Sequence, residues 1–156
     1  MSIRRHPISR SAEQSPLRTI PVDHALIARL KSSYQLLSSD RFEFASVFYS
    51  KLFAEAPHLR SMFSTSIDVQ TTKLVAALDA IVSNLEYPEK NAKLLKEMGQ
   101  RHAGYGVKPE HYDLVIDLIC DAIREVGGER LPASHLAEWR VALRLVSDQM
   151  IAAASS

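Results

Sequence analysis

The residue best suited to chemistry is His102, which the apolar spacing puts on the inward side of a helix near 90–103, with Leu94, Leu95 and Met98 facing the same way. A buried imidazole needs a hydrogen-bond partner or a metal for its ring nitrogens, and spacing alone leaves both open. The chain has no HExxH and no paired Cys/His spacing, so zinc is disfavoured. A lone protein ligand suits haem iron better, because the porphyrin fills four positions itself. Tyr49 and Phe63 flank a break at Pro57, and Gln70 lies one helical turn before Leu74. Together they offer polar donors and an aromatic plate to a pocket. Each also has a plainer use: Phe63 as core, Tyr49 as a core aromatic reaching a carbonyl, Gln70 as a solvated position on a first turn.

Other chemistry finds little support. There is no GxSxG and no glycine-rich phosphate loop. Cys120, the single cysteine, lies in the apolar run 114–123, where it fits a core filler better than a redox sensor. The acidic residues of the last two helices, Asp113, Asp117, Asp121, Glu125, Glu138 and Asp148, read as solvated faces. With 156 residues and a net charge of +1, the chain matches one domain with its own core, and neither a nucleic-acid partner nor a disordered chain is expected. No apolar run reaches the length of about 18 residues needed to span a bilayer, and the lone thiol fits a reducing cytoplasm.

The elements that must position these residues follow from a 3.6-residue apolar period that runs almost throughout after Pro21, with no convincing period-two stretch. The expected class is all-α, with about seven helical pieces. Asp23 caps the first, which carries Leu26, Ile27, Leu30, Tyr34 and Leu37. Asp40 opens the second, with Glu43 at capping-box spacing and Phe44, Phe48, Leu52 and Phe53 in a stripe. A short tight helix over 58–63 follows Pro57, then a long helix over 67–85, closed by Tyr87-Pro88. The helix of His102 ends at Gly104 and Gly106. Pro109 and Pro132 introduce the last two, which bury Tyr112, Val115, Leu118, Ile119 and then Trp139, Leu143, Met150. Residues 1–22 differ, with four arginines against Glu13 and prolines among serines; they read as a basic, mobile extension, with an organelle transit peptide as the alternative. Residues 23–153 form the expected folded domain.

Four stretches carry a family likeness: Phe48-Tyr49-Ser50-Lys51-Leu52-Phe53, Pro57-His58-Leu59-Arg60-Ser61-Met62-Phe63, Gln70-Thr71-Thr72-Lys73-Leu74, and Arg101-His102-Ala103-Gly104-Tyr105-Gly106-Val107-Lys108-Pro109-Glu110-His111-Tyr112. From about Leu26 to Met150 the chain resembles the bacterial single-domain globins and the globin halves of flavohaemoglobins, in order and spacing. The RH-x-x-YGV-x-PEHY stretch is the specific part, and Trp139 near the start of the closing helix also fits.

The resemblance implies a haem b cofactor, iron protoporphyrin IX, with His102 on the iron and Phe63 stacked on the porphyrin. It implies that Tyr49 and Gln70 point donors at a bound diatomic ligand, and that Leu74 and Val107 are apolar walls. Lys73 and Arg101 would pair with the propionates, or simply face solvent. Tyr112 would orient His102, since the second ring nitrogen needs an acceptor. One departure stands out: flavohaemoglobins place a glutamate in the last helix at a position that falls near Ala154 here. That puts a strongly anionic imidazole, and peroxidase-like activation, in doubt.

Three functions follow as expectations. The first is reversible binding of dioxygen, and of nitric oxide and carbon monoxide. The second is nitric oxide dioxygenation with an external reductase, since no flavin- or nicotinamide-binding half is seen in this sequence. The third is a haem-based gas-sensing module. Without a histidine at the Gln70 position, bis-histidine iron is disfavoured, though Tyr49 or water could bind ferric iron. A monomer or homodimer is expected.

Overall fold

A computed structural model describes residues 23–155. The basic extension read from residues 1–22 lies outside the described residues.

Six α-helices and three 3-10 segments make up the described chain, with no strand among the described residues. Helix α1 spans His24–Leu36. Asp23 caps it as expected, its Oδ1 accepting from the backbone N–H groups of Ala25 and Leu26 at 3.1 Å each. The 3-10 segment Ser38–Asp40 leads into α2, Arg41–Glu55, which buries Phe44, Ala45, Phe48, Tyr49 and Leu52. The capping box expected at Asp40 is absent: its side chain makes no cap bond, and its Oδ2 accepts from Arg130 Nη2 at 3.0 Å instead. A charge-assisted bond to a distant arginine has displaced a local cap.

Pro57, which lacks an N–H and fixes φ, opens the 3-10 segment Pro57–Met62. Helix α3 spans Ile67–Ser83 and is capped by Ser66, whose Oγ accepts from Val69 N–H at 3.3 Å. Helix α4, Pro88–Gly104, starts on Pro88 itself rather than two residues later, because the first helical position has no use for an N–H. Gly106 then turns the chain at φ +93°, a left-handed conformation that side chains rarely tolerate. Helix α5 spans Pro109–Gly127, and α6 spans Ala133–Ala154 after the 3-10 segment Gly128–Arg130.

Helix α4 packs chiefly on α6, while α2 lies against α3 and α5. The α4–α6 approach depends on Gly99: a Cβ there would sit 2.3 Å from the Met150 carbonyl oxygen and 2.8 Å from Met150 Cα. At the other end of the fold, Trp139 Nε1 on α6 donates to Ser33 Oγ on α1 at 2.7 Å, and that hydroxyl donates to the Arg29 carbonyl at 2.9 Å. Tyr34 ties α1 to α3 by donating to Asp79. The core divides into two apolar clusters. The larger includes Tyr49, Leu52 and Val75, with Phe63 and Leu74 against it; the smaller joins Ile81, Leu95, Tyr112 and Met150, with Met98 and Val107 against it. Cys120 is fully buried in the larger cluster, and burial pushes its thiol pKa up, which fits a packing role. No helix among the described residues is long and apolar enough to cross a membrane.

Candidate haem site

Helix α4 brings His102 to the end of its last turn, half-buried. Its Nδ1 lies 2.7 Å from the carbonyl oxygen of Met98, one turn back. A carbonyl only accepts, so Nδ1 carries the proton and Nε2 keeps its lone pair. Nε2 has no protein partner among the described residues. Burial lowers the pKa of the ring, opposed by the Met98 bond, with nearby Arg101 lowering it further. The result is a neutral imidazole whose free nitrogen is a σ-donor, the state a metal requires.

Sequence reasoning assigned the orienting role to Tyr112. The structure puts the Met98 carbonyl at Nδ1, and lays the buried Tyr112 ring alongside, with centroids 6.3 Å apart and planes inclined by 29°. A residue four positions back presents its carbonyl along the same helical face whatever its type, so residue types alone did not single it out. Val107 follows the turn, its N–H donating to the His102 carbonyl at 3.0 Å, and packs with Met98 and Tyr112 in the smaller cluster.

Tyr49 is 6% exposed, and no protein group among the described residues takes its hydroxyl. Aromatic rings hold it: Phe48 at 4.9 Å, Phe53 at 5.9 Å and Phe63 at 5.8 Å between centroids. Burial pushes its pKa up to about 12, so the phenol stays a neutral donor. Phe63 and Leu74 are partly buried against the same cluster as Tyr49. Gln70, half-buried on the first turn of α3, donates its amide N–H to Thr65 Oγ1, a partner that sequence reasoning missed. Lys73 and Arg101 are exposed and have no ion-pair partner among the described residues.

The predicted residues thus fall into two sets. His102, Val107 and Tyr112 surround the end of α4, and Tyr49, Phe63, Gln70 and Leu74 lie on α2, α3 and the segment between them. The donor set fits a haem iron: one neutral imidazole nitrogen with no protein partner among the described residues, on a helix end packed with the apolar Met98 and Val107. No group of three or more His, Cys, Asp or Glu side chains that could hold a metal ion occurs among the described residues.

Residues 46–150 match the model of the globin family. This chain belongs to the globin family. A flavohemoprotein of Bacillus subtilis is 25% identical to this globin over 133 residues, covering 83% of the chain and 33% of the relative. A flavohemoprotein of Bacillus thuringiensis is 30% identical over 125 residues, covering 78% and 31%. The chain spans about a third of the length of these curated relatives. The bacterial globin of Campylobacter jejuni superposes with a TM-score of 0.74 at 22% identity, covering 85% of this globin and 96% of that chain, so the fold is the all-α globin fold.

Proposed function

We propose that this globin holds haem b through Nε2 of His102 and reversibly binds dioxygen, and also nitric oxide and carbon monoxide. The observation that carries this reading is the Met98–His102 bond, which fixes the tautomer and leaves one nitrogen for iron. Bound haem supplies an iron with a coordination position open to a diatomic gas. The rest is the work of the chain.

Tyr49 contributes a neutral phenol whose hydroxyl is not consumed by the protein, a donor for a ligand carrying partial negative charge. Gln70 offers a second donor, its amide, which is shared with Thr65. Leu74 and Val107 exclude water, and Phe63 offers an aromatic face to the porphyrin. Lys73 and Arg101 are free to meet its carboxylates, and Tyr112 packs beside the ligating ring. Ala154, on the last residue of α6, brings no carboxylate to strengthen the imidazole's donor character, so binding is favoured over peroxidase-like activation. A cytoplasmic monomer or homodimer completes the reading.

Absorption spectra of haem-loaded protein in ferric, ferrous and carbon-monoxide forms test this directly. A Soret band that shifts on carbon monoxide addition and disappears in His102→Leu is expected; an unchanged band in that variant defeats the assignment. Dioxygen release at least tenfold faster in Tyr49→Phe is expected for a donor worth about 1.4 kcal/mol.

The flavohemoprotein relatives, named for a flavin beside the haem, favour a second reading. A separate reductase would return the iron to the ferrous state, and dioxygen with nitric oxide would leave as nitrate. Catalytic consumption of nitric oxide with added reductase distinguishes this enzyme from a binder that reacts once and stops.

A further inference from the structure

Helix α4 carries the ligand on one side and a basic surface on the other. At 100° per residue, Lys93 lies opposite His102, with Lys90 and Lys96 to either side. All three are exposed. The ion pairs among the described residues lie on the other helices and their connections, as in Arg140 with Asp117 at 2.5 Å and Arg144 with Asp113 at 2.6 Å. No ion pair among the described residues involves α4, where Lys90, Lys93, Lys96 and Arg101 outnumber Glu89 and Glu97.

Two exposed tyrosines bracket this face. Tyr87 precedes α4 and is 53% exposed, with Lys90 Nζ 4.9 Å from its ring centroid; Tyr105 follows α4 and is 64% exposed. Tyrosine is enriched at protein interfaces over the rest of the surface. Glu89 and Glu97 are interspersed among the lysines, which disfavours a polyphosphate chain or an anionic bilayer and suits a partner with its own pattern of charges.

We propose that the outer face of α4 is the docking surface for an acidic one-electron donor protein that reduces the iron held by His102. The proposal rests on the haem reading above. A donor seated there is separated from His102 by one helix, about 10 Å thick. One electron leaves the donor's reduced centre and the iron passes from ferric to ferrous, with no bond made and no proton required.

The test uses the full haem-loaded chain and a plant-type [2Fe–2S] ferredoxin as the acidic probe. Calorimetric titration with oxidised ferredoxin reads docking without turnover, and stopped-flow mixing with reduced ferredoxin reads electron transfer. Both are expected to weaken at least tenfold between about 10 and 300 mM salt. The triple variant Lys90→Glu, Lys93→Glu, Lys96→Glu is expected to lose at least tenfold in both at low salt, and the corresponding triple glutamine variant less. Arg124→Glu, an equal reversal per site on α5, should stay within about twofold. Reduction by a small neutral deazaflavin should be unchanged in every variant, which also shows that the fold is intact.

Absence of salt-dependent ferredoxin binding overturns the proposal, as does an equal loss in Arg124→Glu. Tighter binding of duplex DNA or phosphatidylglycerol vesicles to the same lysines also overturns it. Docking that persists without electron transfer, in protein that takes up no haem, would defeat the haem reading and leave this surface standing.

Discussion

Gly99 rests on the backbone of Met150, with no room for even a methyl group between them: a Cβ would approach the carbonyl oxygen to 2.3 Å. The obstacle is main chain inside α6 and cannot swing aside. Gly99→Ala therefore pushes α4 away from α6, at a cost of about 3 kcal/mol. Thermal unfolding should begin about 6–12 °C lower in a domain of this size. Because His102 lies three residues further on, haem affinity should fall as well. An alanine variant with unchanged melting would show that the two helices are not held this closely.

Tyr49 makes alkaline stability measurable at a single side chain. Its pKa is pushed up to about 12 in the fold, against an ordinary value near 10, so the neutral phenol is the form the fold favours. Its contribution is complete below pH 10 and is lost as pH rises through about 12, amounting to about 2–3 kcal/mol. Tyr34 is also raised, by burial first and then by Asp79, and adds its own loss. The comparison of wild type with Tyr49→Phe isolates the first residue: denaturant unfolding at pH 9 and pH 11.5 should show the variant losing less. Equal losses would place the Tyr49 hydroxyl in water.

The Gln70 amide is shared between the protein and any ligand it serves. Thr65 Oγ1 accepts from its Nε2, so Thr65→Ala frees a donor without touching the pocket's apolar walls. Dioxygen release is expected to slow about fivefold, the equivalent of one neutral hydrogen bond of about 1 kcal/mol. Gln70→Leu should act in the opposite sense. If Thr65→Ala instead releases dioxygen as fast as Gln70→Leu, Thr65 holds the amide in its working position rather than competing for it.

Ser33→Ala leaves the buried indole N–H of Trp139 without its acceptor and should destabilise the protein by about 1–3 kcal/mol. Trp139→Phe adds its own loss of packing. The double variant should be less destabilised than the sum, since with the indole gone no donor is left unpaired. Strict additivity, measured by denaturant unfolding, would mean that the two side chains do not interact.

Much of this was legible in the sequence because helix period, proline placement and one inward histidine are local signals. The cap of α1 at Asp23, the start of α5 on Pro109, and the burial of Tyr112, Trp139 and Met150 follow from spacing, whereas α4 begins on Pro88, two residues before its apolar period suggests. What escaped depends on chain brought from far away. Asp40 has the spacing of a cap, yet Arg130, 90 residues on, takes its carboxylate. Nothing in the local spacing marks Gly99, whose role comes from α6 lying against it. The site divides the same way: His102 is visible as an inward imidazole, but the acceptor for its Nδ1 is a main-chain carbonyl, and backbone atoms leave no trace in residue types.

Trp139 is the chain's only tryptophan, buried on α6, with its indole N–H held by Ser33 and the Tyr34 ring centroid 6.0 Å away. The molecule therefore carries a single intrinsic fluorophore in a dry, defined setting at the α1–α6 contact. Emission should be blue-shifted when folded and move to the red as the two helices part. Porphyrin uptake should dim the same emission by energy transfer without shifting its colour. One cuvette thus separates loading from melting, with no label attached.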